Sequence, residues 1–358
     1  MNVFSNMKSN WNAKISSYQA LDSKDKKTFW KEALINNAMY ILIIVAIIYT
    51  QAKNSYFLKP DSIVNIISLS AANIPIACGI AGCIVLTGTD LSAGRVVGLT
   101  ACISASLLQS VTYATKMFPD LPVMPIWLVI LIAIAVGGLV GWVNGFFVAK
   151  FSLHPFIVTL ATQIIFRGIS EIVLGSGGSI SASNTDGFRA IGGKIGNVPY
   201  ILFLVVILSV IFAVILGKST FGRRVYAIGT NRLTAYYSGV HVQKIRFIIY
   251  TIMGTVSGLC ALFLVSSSYG ANTTTGNGFE MDAIAMAVFG GISSTGGKGN
   301  IAGGFISAFI IVCLRVGLGQ RNVNAQVILL IIGLLLIAAV ALPNIIGNVK
   351  KAVSMKKN

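Results

Sequence analysis

The sequence predicts an all-α, polytopic transmembrane bundle of about ten spans. Three observations predict it: a shortage of charge, a series of long apolar runs, and basic residues sorted to one side of those runs. Of 358 residues, 55% are hydrophobic and only 10% charged, and the mean hydropathy is +0.82. A soluble domain carries about 25% charged residues. So apolar a chain cannot hide its surface in one soluble core, whereas lipid solvates it. A hydrocarbon core about 30 Å thick takes about 20 apolar residues per helix, and the length accommodates about ten of them with short loops.

Taken in order, the first 33 residues form a polar, Lys-rich cytoplasmic or interfacial segment. In it Phe29 and Trp30 beside Lys26, Lys27 and Lys31 read as an interfacial anchor. The transmembrane body runs over 34–345. Apolar runs bounded by polar, Gly or Pro residues predict spans at 34–50, 62–86, 96–112, 126–149, 156–174, 200–216, 247–266, 281–290, 301–318 and 326–343. The segment 281–290 is too short to cross alone and is read as half a helix. A loop at 175–198, rich in Gly and Ser, is either an external docking surface or merely solvated. A basic tail, 346–358, closes the chain.

The net charge of +17 would suggest nucleic acid in a soluble protein, but its placement argues otherwise. Lys and Arg crowd the N-terminal stretch, the 217–246 loop and the tail, which places both termini and that loop in the cytoplasm of a cell-membrane protein. Lipid, not nucleic acid, is the expected partner of this charge. Five cysteines lie in apolar runs with no CxxC spacing, so they read as small buried hydrophobes.

One internal repeat stands out. Gly88-Thr-Asp-Leu-Ser-Ala-Gly94-Arg95 and Gly291-Ile-Ser-Ser-Thr-Gly-Gly297-Lys298 share the pattern G-x5-G-[R/K], each after an apolar run and before a small-residue helix. Chance similarity of Gly-rich stretches is the alternative. Repeats beside broken helices are where transporters build their pathway. Gly88, Asp90, Ser92, Gly94, Arg95, Gly291, Ser293 and Gly297 are therefore candidate pathway or gating residues. Asp90 is read as fixing the first Gly-rich turn, with a proton relay as the other reading. Asn73 and Pro75 interrupt the second span, and a Pro there frees backbone carbonyls, which makes that helix either a pathway liner or a packing kink.

Gly137, Gly141 and Gly145 on one span, and Gly254 and Gly258 on another, have the four-residue spacing that lets helices approach closely, within or between subunits. Arg167 and Glu171, four apart in a span, predict an ion pair facing the bundle, with a substrate contact as the other reading. Catalytic chemistry finds no purchase. His154 and His241 sit on separate loops, so no metal site is expected. G-x4-G-K-[ST] fails at 291–299, where Ile292 occupies the first-glycine position, and G-x-S-x-G is absent. The chain is therefore expected to be no enzyme and to hold no cofactor; if ATP drives it, a partner binds the ATP. A secondary transporter coupled to an ion gradient would need membrane carboxylates, and only Asp90 and Glu171 are offered for that. The 217–246 loop carries a short helix candidate, Arg232–Tyr237, ended by Ser238-Gly239, which is suited to seating on a soluble partner or simply to lying in water.

Together these residues resemble a known family. Gly88–Arg95 with Val-Gly-Leu after it, Leu107–Ser110, Asn144-Gly145, Pro155–Leu160, Phe221–Gly229, Ser238-Gly239-Val, Glu280–Ala285 and Gly290–Gly297 occur in the order found in ribose/galactose-type ABC importer permeases. The match runs from about residue 36 to 345 and, through Thr89 and Arg95, is nearer the galactose/methylgalactoside branch than the ribose branch. The resemblance implies a homodimer with its pathway between subunits, a cytoplasmic ATPase with two nucleotide cassettes, and an extracytoplasmic sugar-binding protein. It implies alternating access driven by that ATPase, with galactose-like sugars as cargo and ribose or nucleosides as alternatives. It also makes Gly222, Arg223, Arg224, Gly229, Asn231, Ala235, Ser238 and Gly239 the coupling residues. Here the chain departs from the family: Asn231-Arg-Leu-Thr-Ala235 stands where the family often has Asn-Pro-Glu-Ala-Ala, so the acidic residue is missing.

Overall fold

A computed structural model describes residues 44, 47–52, 55–109, 116–122, 124–174, 178–181, 194–195, 198–268, 270–324, 326–338 and 341. The 1–33 segment, most of the 34–50 span, most of the 175–198 loop and the 346–358 tail lie outside the described residues. The described chain is mostly helical. Its helices are α1 (Pro60–Val85), α2 (Ala93–Leu107), α3 (Ile126–Lys150), α4 (Pro155–Leu174), α5 (Tyr200–Gly217), α6 (Thr220–Thr230), α7 (Arg232–Tyr237), α8 (Val242–Ser268), α9 (Phe279–Phe289), α10 (Ile301–Gly319) and α11 (Gln326–Ala338). Strands β1 (Ser179–Ser181), β2 (Lys194–Ile195), β3 (Val198–Pro199) and β4 (Gly270–Asn272) make two small antiparallel ribbons, β1 with β4 and β2 with β3.

Among the described residues, three helices are long and apolar enough to cross a membrane: α3, α4, and α8 over Val242–Ser266. Shorter apolar helices lie at Asn73–Val85, Ala93–Leu107, Ile306–Gly319 and Gln326–Ala338. The buried apolar core runs through α1, α2, α8, α9 and α10. By contrast α3 and α4 turn large residues such as Trp127, Leu139, Ile164 and Ile172 outward, as lipid-facing helices do.

Three local readings are corrected by the fold. The segment 218–231 is not a loop: α6 occupies most of it, started by Ser219, whose Oγ accepts the Gly222 N–H at 3.1 Å, and its Val225 and Ile228 are buried. The third span does not run over 96–112. Helix α2 takes in Gly94 and Arg95 and has 15 residues, a rise of about 22 Å that falls short of a bilayer core. Asn73 and Pro75 do not break α1, which is helical from Pro60 to Val85 with Pro75 inside it. The Asn73 amide donates to the Leu69 carbonyl at 3.0 Å, within the same helix.

The glycine ladders meet inside one chain. A Cβ on Gly137 would run into the Gly254 carbonyl and lie 2.9 Å from the Gly258 Cα. One on Gly145 would lie 2.7 Å from the Phe247 carbonyl oxygen. α3 and α8 therefore pack backbone to backbone, the approach that small residues permit in a membrane.

Candidate coupling and translocation site

The second Gly-rich repeat meets the residues just before the first, Val85 and Thr87, at the C-terminal end of α1 and beside the C-terminus of α6. The Gly297 amide donates to the Val85 carbonyl at 2.9 Å, so the loop after α9 is tied to the end of α1. Gly229 fits into this joint. A Cβ there would collide with the Val85 carbonyl and lie 2.7 Å from the Gly297 nitrogen. Two side chains of α6 fasten the same loop: the Tyr226 hydroxyl donates to the Gly299 carbonyl at 2.9 Å, and the Thr230 hydroxyl donates to the Gly297 carbonyl at 3.4 Å. Burial raises the Tyr226 pKa, which keeps the phenol protonated as a donor.

Within the two repeats the backbones differ. In the first, Asp90 is buried and its Oδ1 accepts from the Ser92 N–H at 2.9 Å and the Ser92 hydroxyl at 2.6 Å, closing the turn that leads into α2. The second is an open chain of positive-φ glycines, Gly291 (+90°), Gly296 (+81°), Gly297 (+68°) and Gly299 (+136°), conformations that an L side chain rarely adopts. Ser293 bonds locally: its amide donates to the Lys298 carbonyl, and its hydroxyl lies 2.8 Å from that of Thr295.

From the Asp90 turn a buried polar chain crosses the bundle. Asn144 on α3 donates to the Ser92 hydroxyl at 2.8 Å and accepts from the Thr162 hydroxyl on α4 at 2.8 Å. Beside it α2 and α9 begin next to one another. A Cβ on Gly94 would strike the Glu280 carboxylate and the Gly276 carbonyl, and Gly98 faces the Thr275 carbonyl. Arg95 clamps the connecting loop, donating to the Thr273 carbonyl at 3.1 Å and to Asn277 Oδ1 at 2.9 Å. Two residues past the buried Glu280, Asp282 pairs with Arg315 of α10 at 2.7 Å. With 11 residues, α9 rises about 16 Å, half a bilayer core.

Of the residues expected to act together, Gly297 and Gly229 are in contact, and Asp90, Ser92, Gly94 and Arg95 belong to the turn and the polar cluster. A Cβ on Gly88 would strike the Tyr250 hydroxyl and lie 3.1 Å from Pro155 Cγ. Asn73 and Ser293 form hydrogen bonds within their own segments. Among the coupling candidates, Gly222 nestles against the Leu216 carbonyl, Arg223 and Arg224 are exposed, and Asn231 caps α7 by accepting the Thr234 N–H at 3.0 Å. Ala235 anchors α7, the Ser238 hydroxyl donates to the Thr234 carbonyl, and Gly239, at φ +80°, ends the helix. The exposed face of α7 is Leu233, Tyr236 and Tyr237, with Arg232 reaching the Ser152 hydroxyl at 3.3 Å. The expected ion pair forms, Arg167 Nε to Glu171 Oε1 at 2.9 Å. Its side chains are 58% and 36% exposed, so it faces away from the bundle and not into it.

Sequence reading passed over Asn144, Thr162, Tyr226, Glu280 and Asn277 as site residues. Asn144 and Thr162 did carry a signal, being polar residues inside apolar runs. Tyr226 carried none, because its partner lies in a loop remote in sequence.

Among the described residues no group of three His, Cys, Asp or Glu is placed to hold a metal ion. The family described as "Branched-chain amino acid transport system / permease component" matches residues 62–340. The galactose/methyl galactoside import permease protein MglC of Escherichia coli K12 is 36% identical over 91% of this chain and 98% of its own length. The ribose import permease protein RbsC of Haemophilus influenzae is 34% identical over 88% of this chain and 95% of its own, and the D-allose transport system permease protein AlsC of E. coli K12 is 31% identical over 89% and 94%. No solved structure matches.

Proposed function

The chain belongs to the branched-chain amino acid transport system / permease component family, and from that premise we propose that it is the membrane permease subunit of an ATP-driven sugar importer, with galactose or methyl galactoside as cargo. The carrying observation is a 36% identity to a galactose/methyl galactoside permease along nearly the full length of both chains. The ribose relatives are similar over comparable lengths at lower identity, so a ribose reading is no better supported.

In this reading the chain is a non-catalytic subunit of the cell membrane. It crosses about ten times, with both termini and the α6–α7 segment cytoplasmic, and two copies enclose the pathway. An extracytoplasmic protein delivers the sugar and a tandem-cassette ATPase binds ATP. Leu233, Tyr236 and Tyr237 offer that ATPase an apolar and aromatic surface on a helix seated by Ala235. A displacement of α6–α7 reaches Gly229, and through it the ends of α1 and of the loop after α9. The half-helix α9 and the short α2, joined at Glu280 and Gly94, are then the pathway elements that shift between outward and inward access.

The test is uptake of labelled methyl galactoside by proteoliposomes holding the chain, its ATPase and its binding protein. Uptake should require ATP inside and survive an ionophore. Uptake that persists without ATP and collapses with the ionophore would overturn the reading in favour of an ion-coupled transporter.

A further inference from the structure

Polar groups that the chain itself leaves unbonded meet where α2 and α9 begin. Gln163 is the ninth of the 20 residues of α4, and its amide donates to Glu280 Oε1 at 3.4 Å, which sets Glu280 near the middle of the bilayer core. Two helices start at this depth, α2 at Ala93 and α9 at Phe279, and neither is long enough to span the core. Between β4 and α9, residues 273–278 run beside α2 without forming a helix, Thr275 against Gly98 and Gly276 against Gly94. Backbone of this kind at membrane depth is tolerated where protein covers it or a pathway runs, and solute sites of transporters lie where discontinuous helices start near the midplane.

Two opposite charges are buried there without bonding to each other. Glu280 is 4% exposed and Arg95 is 7% exposed, and neither Glu280 Oε2 nor Arg95 Nε has a hydrogen-bond partner among the described residues. The charge of Arg95 attracts that of Glu280, yet both terminal nitrogens of Arg95 are committed elsewhere, to Thr273 and Asn277. Of the other buried unpartnered side-chain atoms among the described residues, the Thr100 and Ser104 hydroxyls also belong to α2, and Arg246 Nη1 belongs to α8. Unpartnered charge is costly inside a membrane, and it is retained where a solute uses it.

The two free atoms select what can bridge them. Arg95 Nε–H is a donor and Glu280 Oε2 an acceptor. An anion is repelled by Glu280 and a cation by Arg95, while an ether or carbonyl oxygen has no proton to give Oε2. A hydroxyl accepts and donates at once, so a single hydroxyl satisfies both. A zwitterionic amino acid offers both charges, but the fork that grips a carboxylate uses two parallel N–H groups, and both terminal nitrogens already serve the 273–277 loop. We propose that Arg95 Nε and Glu280 Oε2 are the contact for one hydroxyl of the transported sugar, reached as α2 and α9 part at the Gly94–Glu280 seam. Gln163, which holds Glu280 Oε1, is only partly buried, so the contact lies close to the edge of the protomer. The inference rests on the reading of the chain as a sugar permease and names two residues that touch its cargo.

The test compares uptake of labelled methyl galactoside with that of its singly deoxygenated forms, in proteoliposomes holding the full chain, its ATPase and saturating binding protein. Glu280→Gln keeps the shape of the side chain and removes its charge. It should slow methyl galactoside about tenfold and one deoxy form less than about twofold, because that form has already lost the bonded hydroxyl. The preferences of the binding protein are the same with either chain and cancel in the ratio. A merely structural or water-holding role slows every sugar by one factor, and that result overturns the contact. Should Glu280→Gln fail to accumulate, the unaltered chain decides. A galactoside carrying a photoreactive diazirine, applied with binding protein and ATP, should attach within 93–98 or 276–283, and methyl galactoside but not leucine should suppress this. Attachment confined to other segments, or suppression by leucine, overturns the proposal. ATP-driven uptake of methyl galactoside by the wild type is measured alongside. Its presence with one uniform factor removes the contact alone, whereas its absence removes the sugar-permease reading and the contact with it.

Discussion

The Val85 carbonyl accepts the Gly297 amide at 2.9 Å, although the two residues belong to segments more than two hundred positions apart. This single main-chain bond fixes where the end of α1 meets the loop after α9, and Gly229 of α6 lies against both partners. Anything that moves α6 therefore acts on the end of α1 and on the loop after α9 at once.

Gly229→Val should separate coupling from assembly. Its branched side chain has no room beside Val85 and Gly297, and overpacking of this kind costs about 1–3 kcal/mol. We expect ATPase to co-purify with the variant while sugar uptake falls at least about tenfold, read by paired pull-down and uptake assays.

The surface proposed to meet the ATPase should behave in the opposite way. Leu233, Tyr236 and Tyr237 are exposed, so replacing all three with Ser should leave the melting temperature of the purified chain within about 1 °C, as surface changes away from special contacts usually do. Co-purification of the ATPase should be lost. Retained association would move the docking surface elsewhere.

Asn144→Leu deletes the link between Ser92 and Thr162, leaving the Ser92 hydroxyl with Asp90 Oδ1 alone and the Thr162 hydroxyl with the Thr159 carbonyl alone. In a membrane such bonds contribute about 1–2 kcal/mol. Thermal unfolding in detergent should shift downward by that equivalent, and Asn144→Gln should not restore it, because the longer side chain cannot bridge the same two hydroxyls.

Asp282→Asn and Arg315→Gln each break the pair between α9 and α10. Arg315 is partly exposed and Asp282 is buried, so Arg315→Gln, which strands the buried carboxylate, should be the more harmful single change. The double variant should lose less than the sum of the two, a coupling of about 1 kcal/mol in a double-mutant cycle followed by unfolding.

Gly137→Leu should abolish accumulation of the chain in the membrane, because its side chain would occupy the place of Gly254 and Gly258. Gly333→Ala is the control. A Cβ there meets nothing within 4 Å, so the melting temperature should hold or rise, in line with the better helix propensity of alanine.

Apolar periodicity marked the helices well because lipid imposes a long, simple pattern. α3 and α4 coincide with their expected spans to within a residue or two. It failed where a helix is short and basic. α6 reads as a loop because Gly222, Arg223, Arg224 and Gly229 are weak or polar helix residues, and the glycines answer to the Leu216 and Val85 carbonyls, which no local pattern reveals. The repeat signalled that 88–95 and 291–298 matter, yet not that Gly94 and Arg95 would be helical while Gly297 takes positive φ. Arg167 and Glu171 were legible as a pair from their spacing, but their outward direction depends on which face of α4 packs on α2.

The joint at Gly229 has a consequence for how such a chain diversifies. Its closest contacts are between main-chain atoms of Gly229, Val85 and Gly297, with Tyr226 and Thr230 as the side chains that fasten it. Arg232, Leu233 and Thr234 lie in α7, beyond Asn231, and none of them is among the atoms that meet at Gly229, Val85 and Gly297. Substitutions on the exposed face of α7 can therefore alter what that face meets while the joint behind it keeps its shape.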